Sequence, residues 1–385
     1  MIGPGAHEML AGVTHDELSR ESFVISLKEH VVTGVTPGNK VAFDTRVAPA
    51  YERANGAPPS DRRQVLKALL GDDYYRMSSS LKRITQELMW DSVGESVERQ
   101  IGGLIDKSQT IKSKKPKGSL RLDPGIDLPR YLTAVDIHCM PGNYTTDLTA
   151  NDVYAGALYD RAVYLFVMGG LGDYNQDVGE TLAAYLKRTY PDFKPKRILD
   201  IGCAIGHSTL PYCEAFPDAE VHAIELGAPM LRYGHARAES LGKTVHFSQQ
   251  DAEHTDFPDG YFDLVVSHIL MHETSNKAAP RILKETHRVL SKGGISLHCE
   301  GPPWDRMSPY EASVLDWDTH FNAEPYISKF HELDPAKLMT DAGFEEGNYI
   351  EEYVPSLHLS EHFSELFKDG NNGIDGSWWF FGAHK

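Results

Sequence analysis

The stretch that most constrains this chain is Arg197-Ile-Leu-Asp-Ile-Gly-Cys-Ala-Ile-Gly-His-Ser208. Ile198, Leu199 and Ile201 give the short apolar run of a parallel strand buried on both faces. Gly202 and Gly206 bracket a tight turn before helical spacing begins at Ser208, Thr209 and Leu210. Such a turn cradles ligands, because glycine accepts positive φ and lets a ligand approach amides at a helix N-terminus. A dinucleotide site asks for Gly-x-Gly-x-x-Gly, and at those places the chain has Gly202, Ala204 and His207. Asp200, at the strand end, repels a pyrophosphate and suits a ligand carrying an ammonium group.

Further units follow at βα spacing. Val221 to Ile224 is a second apolar run, ending in Glu225, an acid placed to accept both hydroxyls of a ribose. Thr244 to Ser248 is a third, leading into Asp251, and Phe257 to Ser267 is a turn feeding a fourth. Arg288 to Gly294 closes a helix before a fifth strand, Ile295 to Cys299.

With these motifs in this order, the sequence resembles the class I S-adenosylmethionine-dependent methyltransferases, most closely their ubiquinone/menaquinone C-methyltransferase-like branch, over residues 190–385. The family's first motif, Asp/Glu-x-Gly-x-Gly-x-Gly, stands here as Asp200-Ile-Gly202-Cys203-Ala204-Ile-Gly206, with alanine in place of the middle glycine. The resemblance implies an α/β fold with a Rossmann-like seven-stranded methyltransferase sheet of order 3-2-1-4-5-7-6. Its last two strands, Tyr349–Val354 and Ser377–His384, would form an antiparallel hairpin. It implies S-adenosyl-L-methionine as cofactor, held by Asp200, Gly202, Cys203, Ala204 and Gly206, by Glu225, Leu226 and Met230, and by Asp251 and Ala252. Asp251 would face the adenine amino group, and Ser267 and His268 would close the set at the fourth strand.

Residues 1–106 carry helical spacing. One segment opens at Thr14 or His15 and ends before Gly34 and Pro37, another is capped by Ser60 and stopped by Gly71, and a third runs from Leu81 to Gly102-Gly103. With no chemistry-bearing pattern, this reads as a helical accessory domain that caps the catalytic domain or pairs subunits as a homodimer. Residues 107–130, rich in Lys, Ser, Pro, Gly and Asp, read as a linker. Across residues 131–190, Tyr144, Tyr154, Tyr159, Tyr164 and Tyr174 alternate with Asp147, Asp152, Asp160, Asp173 and Asp177. In the resembled family this position forms a lid over the methionine end of the cofactor, with Tyr159 and Tyr164 as its candidates; the alternative is tyrosines that only pack helices onto the sheet. Residues 191–385 form the cofactor-binding domain. Its aromatic-rich 304–330 stretch is too long for a simple connection, and the acceptor pocket is expected there.

Methyl transfer needs alignment and exclusion of water, and a base only where the acceptor sheds a proton. His268 leads the base candidates. His272 and Glu273 lie one helical turn on, and His298 stands on the next strand; each is equally readable as a packed side chain. Their spacing is not a metal signature. Fifty-five acids against 38 bases give a net charge of −17, which disfavours nucleic acid. Four irregularly spaced cysteines and the lack of a long apolar run point to a cytoplasmic protein away from membranes, and the resemblance implies a small-molecule methyl acceptor. The alternatives are a pericyclase-like or ligand-binding protein of the same fold without methyl transfer and, more remotely, an NAD-dependent dehydrogenase.

Overall fold

The computed structural model describes residues 3–359 and 376–385. Eight strands form one sheet: β1 (Ser119–Arg121), β2 (Arg197–Ile201), β3 (Glu220–Glu225), β4 (His246–Gln249), β5 (Phe262–His268), β6 (Leu290–Glu300), β7 (Tyr349–Pro355) and β8 (Ser377–His384). Their order is β1-β4-β3-β2-β5-β6-β8-β7. All neighbours are parallel except β8, which runs antiparallel to β6 and β7. The expected seven-strand order is therefore present from β4 to β7, with β1 added at the edge.

β2 sits at the centre and feeds both helical layers. Ile198 packs with Leu182, Leu186 and Phe247 on one side. Leu199 and Ile201 pack with Ile282, Leu283 and Met339 on the other. The run is apolar throughout because alternate side chains enter two different cores.

The 107–130 segment is more than a linker. The Ile101–Ser113 helix passes through Gly102 and Gly103 into it, and Ser119, Leu120 and Arg121 then pair with His246, Phe247 and Ser248. Gly118 is required there, since a Cβ would lie 2.2 Å from the Val245 carbonyl oxygen.

The helical region also differs in detail from its expected breaks. Thr14 caps the His15–His30 helix in a capping box with Glu17. The chain then stays helical past Gly34 and Pro37, through wide turns at Val31–Val35 and Phe43–Val47, and stops at Gly56 with φ +80°. Pro37 is tolerated because it falls at the junction after the wide turn, closed by Thr36 N–H to Val31 O at 2.8 Å, where its missing donor breaks no ladder. Asp61, not Ser60, caps the next helix, accepting from the amides of Arg63 and Gln64. Among the described residues, no helix is long and apolar enough to cross a membrane.

The Tyr154–Phe166 helix is fixed to the sheet domain through Asp160, which is 1% exposed. Its carboxylate accepts from His207 Nε2 (2.7 Å) and Tyr233 Oη (2.7 Å), pairs with His7 (2.9 Å), and lies 3.3 Å from the Arg237 guanidinium. Burial opposes its ionisation, but Arg237 and the two imidazoles hold it well below the usual carboxylate range. In Asp160→Asn, an amide NH2 would face this ring of donors. The change is expected to lower stability by about 3–5 kcal/mol, the scale of a broken buried pair, read as the urea midpoint. An unchanged midpoint would refute the role given to this carboxylate.

Candidate active site

At the carboxyl ends of the parallel strands lies a cavity of about 380 Å³, where open α/β sheets place their ligands. The turn after β2 forms one wall. Gly202, Ala204 and Gly206 have φ of +70°, +48° and +85°. Ala204 thus holds the left-handed conformation of the glycine it replaces, at the strain of one Cβ, and its amide points to Glu225 Oε2 at 3.3 Å.

The three strand-tip acids line the cavity, but in different ways. Asp200 is 1% exposed, and its oxygens are taken by Thr209 Oγ1 (2.5 Å) and His268 Nδ1 (3.2 Å). Its carboxylate therefore braces the turn from beneath, with one bond on each oxygen and a face on the cavity. Glu225 is fixed by the amides of Leu226 (2.8 Å) and Gly227 (2.9 Å) on Oε1. Burial raises its pKa against the pull of those amides. Asp251 is steadied by the Glu253 amide at 2.9 Å and is likewise raised by burial.

Tyr159, Cys203, Leu226, Ala252 and His268 also line the cavity, while Tyr164, Gly206, Met230, Ser267, His272 and His298 do not. Tyr159 stacks on His207, ring centroids 5.6 Å apart. His268 has both nitrogens engaged, since Tyr212 Oη donates to Nε2 at 2.9 Å. His298 is removed from the reacting side altogether. It is fully buried between Ser267 (2.8 Å) and Ser296 (2.7 Å), and burial pushes its pKa down to about 3. The β5–β6 register sets Ser267 beside His298, so the two saturate each other inside the sheet.

Glu273 does face the cavity, and it belongs to a cluster that no local pattern announces. His138 Nε2 donates to Glu273 Oε1 (3.0 Å), and Tyr144 Oη donates to the same oxygen (3.2 Å). His138 Nδ1 pairs with Glu324 at 2.9 Å. Burial opposes the imidazolium, but Glu324 and Glu273 raise its pKa well above the ordinary value. The His138 backbone has φ +55°, and its carbonyl accepts from Gln86 Nε2 (3.0 Å) and Trp90 Nε1 (2.8 Å). An unfavourable backbone conformation held from both sides is a usual mark of a functional position.

This arrangement corrects one expectation, the placing of the acceptor pocket in the 304–330 stretch. The cavity lining includes Gln86, Met89 and Trp90 of the Asp73–Glu98 helix, which agrees with an N-terminal region that caps the sheet domain. The 304–330 stretch does not line the cavity among the described residues. It docks on the N-terminal helices through Trp317, which packs with Val65, Leu66 and Leu69, and through Arg62 to Asp316 at 3.1 Å. Its contribution to the site is Glu324, behind His138.

Strand-tip acids around a turn without lysine or arginine suit a nucleoside bearing positive charge and reject a pyrophosphate. A methyltransferase-domain family model matches residues 198–294. Demethylmenaquinone methyltransferase from Thermus thermophilus is 32% identical over 168 residues, covering 39% of this chain and 74% of that protein. Phosphoethanolamine N-methyltransferase 3 from Arabidopsis thaliana is 28% identical over 160 residues, covering 40% of this chain and 30% of that protein. A solved structure, phosphoethanolamine N-methyltransferase 2 from Haemonchus contortus in complex with S-adenosyl-L-methionine, has a TM-score of 0.41 at 19% identity, covering 58% of this chain and 56% of that one. The chain belongs to the class I S-adenosylmethionine-dependent methyltransferases, and S-adenosylmethionine is its cofactor.

Two outcomes follow from this geometry. Ala204→Gly relieves a left-handed residue and is expected to stabilise the fold by about 1 kcal/mol, seen as a raised urea midpoint; a lowered midpoint contradicts the strain. His272 donates from Nδ1 to Glu300 at 2.6 Å, and despite burial Glu300 and Glu324 raise its pKa to about 9. A histidine raised in the fold stabilises fully below its unfolded pKa, about 6.5, and loses that contribution as the pH climbs through about 9. Stability is expected to fall by on the order of 3 kcal/mol across that window, and His272→Gln is expected to flatten the slope. An equal slope in the variant would discount the pair.

Proposed function

We propose that this methyltransferase acts on a small-molecule acceptor, with cofactor and acceptor sharing the cavity between the strand tips and the helical roof. The observation that carries this reading is that one cavity is lined both by Glu225 and Asp251, just beyond the β3 and β4 strands, and by Glu273, whose Oε1 accepts from His138 and Tyr144.

On this reading Glu225 takes the ribose hydroxyls, Asp251 the adenine edge, and the Gly202–Gly206 turn the amino-acid end, with Tyr159 closing over it. S-adenosylmethionine supplies an electrophilic methyl group on a positively charged sulfur. The protein's own part is to hold the acceptor in line and keep water out, which Met89, Trp90, Leu132 and Phe166 support by walling the acceptor side with apolar surface. Glu273 keeps one oxygen occupied by His138 and Tyr144. Among the described residues, no hydrogen bond engages the other, Oε2, which leaves it to meet an acceptor proton.

Calorimetry with S-adenosylhomocysteine tests the cofactor half. Glu225→Ala is expected to weaken binding by about 1–3 kcal/mol, the worth of charge-assisted bonds to two hydroxyls. Unchanged affinity would count against this placement. Transfer of a labelled methyl group to a small-molecule product tests the reaction itself; labelling of protein alone would count against a small-molecule acceptor.

A further inference from the structure

The cavity as a whole has a definite electrostatic character. Four carboxylates line the cavity, Asp200, Glu225, Asp251 and Glu273, and no lysine or arginine among the described residues joins them. The nearby cations are committed elsewhere. Arg161 is paired with Glu21, and Arg237 lies against Asp160. Lys28 lies behind Gln86 and Phe166, 4.3 Å from the Phe166 ring centroid, and is not part of the lining.

His138 is the cation at the acceptor wall, and it has nothing to offer a ligand. Its Nε2 is spent on Glu273 and its Nδ1 on Glu324. A phosphate or carboxylate brought here would meet Glu273 with no free N–H of a cation to pair with, and an unpaired buried charge is strongly disfavoured. Aromatic faces and a carboxylate suit the opposite kind of molecule, as they do in cation-binding cages.

We infer that the acceptor is an uncharged or cationic molecule with an apolar body, presenting an N–H or O–H to Oε2 of Glu273, and that phosphorylated and carboxylated acceptors are excluded. This rests on the methyltransferase reading. In the step, the acceptor nitrogen or oxygen lone pair forms the new bond to carbon. The S–CH3 bond breaks with its electron pair remaining on sulfur, and the N–H or O–H proton passes to Glu273. The sulfonium and the carboxylate are both neutralised, so charge balances for an uncharged nucleophile. A cationic amine first releases one proton to solvent.

The experiment is calorimetry at pH 7.5 on the whole chain saturated with S-adenosylhomocysteine, using tryptamine, indole-3-ethanol and indole-3-propionate. These share a ring and differ at the head group. Binding of the amine and the alcohol, with the carboxylate at least tenfold weaker, is the expected result. A carboxylate that binds as tightly as the amine, or failure of all three to bind the saturated complex, overturns the inference while leaving the cofactor reading intact. Failure of S-adenosylhomocysteine itself to bind overturns both. Glu273→Gln is expected to erase the preference for amine over carboxylate, with its S-adenosylhomocysteine affinity as the check that the variant is folded. Persistence of a tenfold preference in the folded variant counts against Glu273 as its source.

Discussion

The buried carboxylate of Asp160 is the interaction on which the site's geometry depends. It joins His7 from the N-terminus, His207 from the turn after β2, and Tyr233 and Arg237 from the Ala228–Ser240 helix. Those groups come from three parts of the chain that the sheet alone would not hold together. Immediately before Asp160 on the same helix, Tyr159 lines the cavity and stacks on His207, so the Tyr154–Phe166 helix and the glycine turn are positioned by the same bond set. A charge 1% exposed is tolerable only because nearly every direction around it presents a donor or a cation.

A second junction, at His138, makes the cavity's other half. The imidazole meets Glu273 from beyond β5 and Glu324 from the long insertion, while the carbonyl meets Gln86 and Trp90 from the N-terminal helix. The roof, the lid and the insertion thus converge on one residue. The methyltransferase-domain match ends at residue 294 and begins at 198, so these elements lie outside it. The strand-tip acids and Glu273 lie inside that match, while His138, Glu324 and the helix that carries Gln86 and Trp90, which pack around Glu273, come from outside it.

That division also explains what could be read from the sequence. The glycine turn and the acids at Asp200, Glu225 and Asp251 are local: each is set by a few residues whose backbone and charge demands show in the string itself. Ala204 shows how local constraint can outlast its usual residue, since the position keeps φ +48° without glycine. His138 had no such signature. Its partners stand 135 and 186 positions away, and only the packing of helices unites them. The Tyr and Asp alternation before β2 was visible, but its acids turned out to be fasteners. Asp147 binds Arg232, Asp152 accepts from the Tyr154 amide, and Asp177 takes the Ser356 hydroxyl and the Trp378 indole. β1 escaped because three residues between Gly118 and Pro124 carry no readable alternation.

The acids and imidazoles beneath the acceptor wall alternate in space: Glu300, His272, Glu324, His138, Glu273, with closest approaches of 2.6, 3.8, 2.9 and 3.0 Å. Buried ion pairs seldom add net stability over well-packed apolar groups, so strength alone does not account for such a row. Position does. Glu300 also accepts from the amides of Leu270 (2.9 Å) and Met271 (2.5 Å), anchoring the turn that presents Glu273. Each imidazole is fixed by acids on both sides, so the orientation of the last carboxylate is set by the whole row and not by its own rotamer freedom. On the role proposed for Glu273, meeting an acceptor proton at one place, that rigidity is an advantage, and Glu324 gives a physical reason for a long segment that, among the described residues, does not line the cavity.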